Sequence, residues 1–318
     1  MENNIPKISV SIITYKQENL IKRSINSLLK QREYIYEICV SDDCSPDRTW
    51  EVLLEYEKEY PGLFKLNRNK NNVGIFENVE KTWDMQSGDL VYRMAGDDEC
   101  GEGWFKKVID FIQTNKIDYK NELFCIYGDY KSIYPNGDVY IASNKEVVRN
   151  HNSLGLAMRH VICNRSCCFS INVLKRYKHV SQGRSQIAEE AIDRQLQINS
   201  EKNYYIPYVG NIYYANIGVS VHGSEKTHKE RQLIPEYTLK KFEEWGVNIS
   251  HKDANYLLST SAYFAYKKQK TVKNLWTFLK LYIKGIDLSI GFKGIRPRRI
   301  VFAIRRRLPH SKPIQMYI

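Results

Sequence analysis

The sequence predicts an α/β protein built on a mostly parallel central sheet flanked by helices. Three observations carry that expectation. Short apolar runs alternate with amphipathic segments through the first 130 residues, and alternation at this pace implies βαβ crossovers. The composition, 42% hydrophobic and 26% charged over 318 residues, is that of a chain able to bury a sizeable core. No run approaches the roughly 20 apolar residues that a membrane-spanning helix needs.

The elements follow in order. Ile8 to Ile13 is a short apolar run and reads as a buried strand. Residues 18–30 set Leu20, Ile21, Ile25, Leu28 and Leu29 at helical spacing. Ile35 to Val40 is a second strand. Pro46 and Asp47 open a helix with Trp50, Val52, Leu53, Leu54 and Tyr56, and Pro61-Gly62 ends it. Leu63 to Leu66 is a third strand, and a helix over 75–86 is closed off by Gly88. Asp89 to Met94 is a fourth strand, 103–115 a helix, and Leu123 to Tyr127 a fifth strand. From 130 to 225 the pattern loosens. Tyr134-Pro135-Asn136-Gly137-Asp138 reads as a hairpin turn, 187–198 as a helix, and Tyr204 to Tyr214 as strand-like. Residues 228–285 read as helical, punctuated at Gly246 and Ser250.

Charge is divided along the chain. The formal net charge is +12. Residues 254–318 hold fourteen Lys and Arg and one acid, Asp287, whereas the other 253 residues hold 34 basic and 35 acidic side chains. The body is neutral and the basicity belongs to the C-terminal region. A neutral body without an RRM, KH or helix-turn-helix signature argues against nucleic acid as the partner. The first seven residues contain no apolar stretch, so no secretory signal is expected. The seven cysteines lack paired CxxC spacing, Cys163, Cys167 and Cys168 being their one cluster. Reduced, partly buried thiols in a cytoplasmic protein are expected.

Ligands of parallel sheets sit beyond the carboxyl ends of the strands. The segments there are Thr14-Tyr15-Lys16, Ser41 to Ser45, Asn67 to Gly74 and Ala95 to Glu99. Two of them carry adjacent acids: Asp42 with Asp43, and Asp97 with Asp98 and Glu99. Like charges repel unless a cation or donors lie among them. Hard oxygen ligands of this kind suit Mg²⁺ or Mn²⁺ bridging substrate phosphates. The competing reading is solvated loop acids and helix caps, which fits Asp47. The first strand is followed by no glycine-rich turn, and no GxxxxGK[ST] occurs, so dinucleotide and P-loop chemistry are excluded.

At these residues the sequence resembles the family 2 glycosyltransferases, which have the GT-A fold. The matching runs are Val10 to Tyr15, Glu37 to Thr49, Asn72-Val73-Gly74, and Gly88-Asp89 through Ala95-Gly96-Asp97-Asp98. They cover roughly residues 7–130. The resemblance implies a nucleotide-sugar donor, a divalent metal (Mn²⁺ or Mg²⁺) and transfer with inversion. It implies that Asp43 binds the nucleotide base, that Asp97 lies near the ribose, and that Asp98 is the metal ligand. Thr14 and Tyr15 match the loop lying against the base. Many relatives carry a further Asp two positions before the pair, where this chain has Ala95. Asp98 is thus the main protein ligand, and Glu99 receives no role. The family's general base is an acid at the start of a later helix. Here that is Glu189-Glu190, with Glu190 at the base position and Asp193 as the second candidate. His222 falls near the expected diphosphate, and Arg159, His160, Asn164 and Arg165 fall near the expected acceptor pocket.

The expected division is a GT-A domain over 1–225, with a nucleotide-sugar half (7–130) and an acceptor half (131–225), then a helical basic region over 226–318. In that region Leu275, Trp276, Phe278, Leu279, Tyr282, Ile283 and Ile286 form an apolar face beside Lys273, Lys280 and Lys284. Basic and apolar residues interleaved over 273–312 fit a segment lying on an anionic membrane. The expected function is metal-assisted, inverting sugar transfer to a glycan or lipid-linked glycan, in the cytoplasm at the inner face of the cell membrane. The alternative is a nucleotide-sugar-binding or nucleic-acid-associated protein without transfer activity.

Overall fold

The sheet is built outward from β1 (Ile8–Thr14). Ile8, Val10 and Ile12 are fully buried and meet Ile21, Ile25, Trp104, Phe105 and Val108 in the main core cluster. Ser9 and Ser11 are buried as completely, on the opposite face that the period-2 alternation of a strand dictates. That face is lined with hydroxyls that find partners. Ser9 Oγ donates to Glu37 Oε1 at 2.6 Å, and Ser11 bonds Thr82. The computed structural model describes residues 5–159, 167–177, 189–215, 217, 225–285, 308 and 312–317.

After β1 the chain forms α1 (Ile21–Leu29), β2 (Ile35–Asp42), α2 (Thr49–Glu59), β3 (Phe64–Arg68), α3 (Ile75–Asp84), β4 (Leu90–Ala95), the two-residue β5 (Glu99–Cys100) and α4 (Trp104–Thr114). β2 and β4 flank β1, and β3 lies outside β2; all four are parallel. The expected elements of this half are all present, displaced by a few residues at their ends. α1 shows why. It buries Ile21, Ser24, Ile25, Ser27 and Leu28, one stripe at helical spacing set against the sheet.

The second half comprises β6 (Phe124–Ile133), β7 (Val139–Ala142), α5 (Lys145–Asn150), α6 (Ser153–Arg159), β8 (Cys167–Ser170), α7 (Ile171–Lys175), α8 (Glu189–Asn199) and β9 (Lys202–Tyr214). Here the sheet is mixed. The fifth predicted strand, now β6, does not adjoin β4. Instead β8 lies between them, antiparallel to both. β6 and β7 form the expected hairpin around Asn136-Gly137. β9 runs parallel to β6 and ends beside β5. Tyr92 crosses beneath this junction: its hydroxyl donates to Gly210 O at 2.8 Å, and its ring meets Phe105 edge-on at 5.2 Å.

The C-terminal region holds α9 (Glu225–Glu244), α10 (His251–Lys268), α11 (Val272–Gly285) and β10 (Gln315–Tyr317). Two expectations are corrected. First, the region is not wholly helical. β10 pairs in parallel with β7 at the sheet edge, and Ile314 N donates to Asp138 Oδ1 at 2.8 Å. The basic segment is therefore anchored at both ends. Second, the apolar face of α11 is divided. Phe278 contacts Tyr263 of α10, whereas Val272, Trp276 and Ile283 point outward, 84%, 70% and 65% exposed. Most of 286–312, with Ile286 and the arginines there, lies outside the described residues.

Candidate active site at the carboxyl ends of β1, β2 and β4

Strand register brings the predicted segments to one edge. Thr14 lies opposite Asp42 of β2, and Ile13 opposite Ala95 of β4. The two acidic loops are bonded to the same central strand. Asp43 N donates to Thr14 O at 2.9 Å, and Gly96 N to Ile13 O at 3.0 Å. With neighbouring strands about 4.8 Å apart, the loops stand about 10 Å from each other across Thr14 and Tyr15. Lys16 and Cys44, just beyond β1 and β2, have φ of 56° and 59°. Few non-glycine residues adopt this conformation, and those that do gather at functional sites. Thr14 is buried, its hydroxyl donating to Gln17 Oε1 at 2.8 Å. Tyr15 is half-buried beneath the Lys16 ammonium, 5.3 Å from its ring centroid. Asp47, expected as the helix cap, lies one residue before the N-cap Arg48 of α2 and accepts from Thr49 N.

Asp43 has a role that its motif did not announce. It is 4% exposed. Oδ1 accepts from Val73 N at 2.8 Å and from Asn69 Nδ2 at 3.0 Å; Oδ2 accepts from Gly74 N at 2.9 Å. The carboxylate therefore holds the loop that leads into α3. Gly74 caps α3 with φ of 92°, which only glycine adopts readily. Asn69 also donates to Asn78 Oδ1, and Asn78 donates to Ser41 O. This asparagine network was not foreseen, although its members stand out in the sequence as a cluster between 67 and 78.

The turn after β4 is tight. Asp98 N donates to Ala95 O at 3.1 Å. A Cβ on Gly96 would lie 2.3 Å from Gln17 Oε1 and 2.9 Å from Ile21 Cδ1. Asp97 is half-buried and Asp98 is 4% exposed. Glu99 faces elsewhere: it accepts from the Tyr214 hydroxyl at 2.5 Å and lies 3.2 Å from Arg23 Nε. Burial, then this bond to Glu99, push the Tyr214 hydroxyl up to about 12. Among the described residues no group of three or more His, Cys, Asp and Glu side chains could hold a metal. The donor set thus offers no all-protein cage. It fits a cation that takes one carboxylate from protein and its other ligands from substrate phosphates and water, as Mg²⁺ commonly does.

On the far side of β4, Asp193 of α8 is buried and paired with Arg93. Glu189 and Glu190 begin α8, and their side chains lie outside the described residues. So do the side chain of Arg159 and residues His160, Asn164, Arg165 and His222. All six cysteines among the described residues are free thiols. Burial pushes Cys39 and Cys100 up to about 12, which makes them inert as nucleophiles at neutral pH.

This edge can be set beside known proteins. Residues 9–163, just under half of the chain, match the family described as glycosyl transferase family 2. No finer identity follows from its relatives. An uncharacterized glycosyltransferase of Haemophilus influenzae is 23% identical over 92% of this chain and 96% of its own length. The poly(ribitol-phosphate) beta-glucosyltransferase of Bacillus spizizenii is 28% identical over 35% of this chain, a stretch that spans only 18% of that enzyme. Among solved structures, S. aureus TarS 1-349 in complex with UDP-GlcNAc superposes with a TM-score of 0.57 at 14% identity, over 89% of this chain and 82% of that one. The shared architecture is the GT-A fold, as the sequence led one to expect.

Proposed function

We propose that the chain transfers a sugar, with inversion, from a nucleotide-sugar donor to a hydroxyl of a glycan or lipid-linked glycan in polysaccharide assembly, assisted by Mn²⁺ or Mg²⁺. The observation that carries this is the pair of acidic loops bonded to the Ile13 and Thr14 carbonyls at the end of β1, within the family 2 match. A nucleoside diphosphate laid across this edge reaches from Asp43 at the base to the Asp97–Asp98 turn at the ribose and diphosphate. TarS crystallises with UDP-GlcNAc and with UDP, which supports a donor of that class. Asp98 would hold the cation. When bound, the cation supplies positive charge to the departing diphosphate.

Glu190 is assigned as the base that takes the acceptor's proton, which requires approach to about 3 Å. Asp193 is one turn along α8, and its pairing with Arg93 suits it to orienting that helix. On this reading 7–130 takes the donor, 131–225 the acceptor, and 226–318 meets an anionic membrane at its cytoplasmic face. Among the described residues no helix is long and apolar enough to cross a membrane. Val272, Trp276 and Ile283 form an exposed stripe on α11, with Lys273, Lys280 and Lys284 exposed beside it. An interfacial helix carries this pattern.

A thermal-shift panel of sugar nucleotides, each with Mn²⁺ and with EDTA, tests the donor site. One donor is expected to stabilise the protein selectively with Mn²⁺, by about 2.7 kcal/mol at a hundredfold excess over Kd. Stabilisation by none of them contradicts the proposal.

A further inference from the structure

Glu99 directly follows the Asp97–Asp98 pair, yet its carboxylate turns to Arg23 and Tyr214. The three side chains come from three separate segments: α1, the start of β5 and the end of β9. Arg23 joins them. Its Nη2 donates to Asp97 O at 2.6 Å. Its Nε lies 3.2 Å from Glu99 Oε1. Its guanidinium carbon is 3.5 Å from the centroid of the Tyr214 ring, and the Tyr214 hydroxyl donates to the same Glu99 oxygen. One planar guanidinium is thus held from the side by an anion and stacked on a ring. Its Nη2 is directed at the peptide between Asp97 and Asp98.

The turn itself has little other freedom. Gly96 is wedged against Gln17 and Ile21, and Asp98 N is fixed to Ala95 O. The carbonyl of Asp97 in this turn accepts from Arg23. Rotation of that peptide would swing the Asp98 side chain. A guanidinium suits this task because it presents several donors in a rigid plane, whereas an ammonium presents a mobile point charge.

We infer that Arg23, held by Glu99 and Tyr214, is a positioning residue that fixes the Asp97–Asp98 turn for a divalent cation carried with a nucleoside diphosphate. The inference rests on the reading of Asp98 as the cation's protein ligand. Groups that orient a metal ligand without touching the metal commonly change metal affinity about 10–100-fold when altered. The loss belongs to the cation and not to the nucleotide base, because Asp43 and its loop stand on the other side of Thr14.

Isothermal titration calorimetry separates the two. UDP, GDP and dTDP are titrated into the full chain with Mn²⁺ and with EDTA, and the tightest binder is carried forward. Wild type is expected to bind it more tightly with Mn²⁺. Arg23→Gln is expected to lose about 10–100-fold of that Mn²⁺-dependent gain while its affinity in EDTA stays within about twofold. Arg23→Lys should recover part of the gain. Tyr214→Phe, which keeps the ring and removes the bond to Glu99, should lose several-fold and serves if Arg23→Gln does not fold. Full Mn²⁺ gain in these variants overturns the inference alone. Equal losses with Mn²⁺ and EDTA, matched by a lower melting temperature, reduce Arg23 to a structural residue and also overturn it. Absence of any Mn²⁺ gain in wild type overturns the metal reading with it, and binding of none of the three nucleotides contradicts the proposed function as well.

Discussion

Asp43→Asn alters one group at the carboxyl edge of the sheet while nearly preserving its shape. The carboxylate accepts three hydrogen bonds, from Val73 N, Asn69 Nδ2 and Gly74 N. A carboxamide keeps one acceptor oxygen. If that oxygen takes the place of Oδ1, the new amide nitrogen faces Gly74 N–H, donor against donor. One charge-assisted bond is then lost and two fall to neutral strength. Bonds to charged groups contribute about 1.5–3 kcal/mol and neutral ones about 1. The expected loss of stability is therefore about 2.5–7 kcal/mol. At about 2–4 °C per kcal/mol for a domain of this class, the melting temperature should fall by roughly 5–28 °C. Amide hydrogen exchange at Val73 and Gly74 should accelerate, while exchange in β1 remains slow. A melting temperature within about 1 °C of wild type, with unchanged exchange at those two amides, would refute the role assigned to Asp43 in holding the loop.

Other expectations follow from the same geometry. Glu37 is 3% exposed; burial raises its carboxyl, but hydrogen bonds from Lys65, Ser9 and Ser87 outweigh this and hold it below the usual range. A lowered folded value means stability that is present above the ordinary value of about 4.3 and lost as pH falls through the folded one. Glu37→Gln should therefore cost about 1–3 kcal/mol at pH 7, with the gap to wild type closing below about pH 4; equal gaps in urea midpoints at both pH values would contradict this. Gly101→Ala places a Cβ 1.9 Å from Val209 O, so β5 must part from β9; a loss above about 3 kcal/mol in urea unfolding is expected, and a loss under about 1 would show that the strands give way freely. Trp276→Ser with Ile283→Ser should reduce flotation with anionic liposomes without lowering the melting temperature, since both side chains are largely exposed; undiminished flotation removes α11 from the membrane reading. These point substitutions serve better than truncation after 270, which would also remove β10 from the sheet edge.

The first 130 residues were legible because short apolar-rich runs alternate there with helices that carry an apolar stripe. Ile8 to Ile13 could hardly be anything else. β8 was not legible: Cys167-Cys168-Phe169-Ser170 is four residues long, buried throughout, and shows no alternation from which a period could be read. β10 escaped for a similar reason. Its three residues follow a long basic stretch, and only pairing with β7 makes them a strand. Within the site, the acidic pairs were visible because adjacent carboxylates are costly and stood at predicted strand ends. Their partners were not. Arg23 lies on α1, and Tyr214 lies 115 residues beyond Glu99. Sequence spacing carries no sign of a contact that only the curl of β9 back to β5 creates. The same holds for Arg93 and Asp193, which look like unrelated surface charges until β4 and α8 bring them together.

The central claim is that a nucleoside diphosphate lies across the ends of β1, β2 and β4 with a cation joining it to Asp98. Crystals grown with Mn²⁺ and the tightest-binding nucleoside diphosphate, measured at a wavelength where manganese scatters anomalously, test it directly. The account predicts one strong anomalous peak between the diphosphate and the Asp98 carboxylate, with Glu99 still on Arg23 and Tyr214. A nucleotide seated elsewhere, or a peak ligated by Glu99 or Asp193 in place of Asp98, would contradict it.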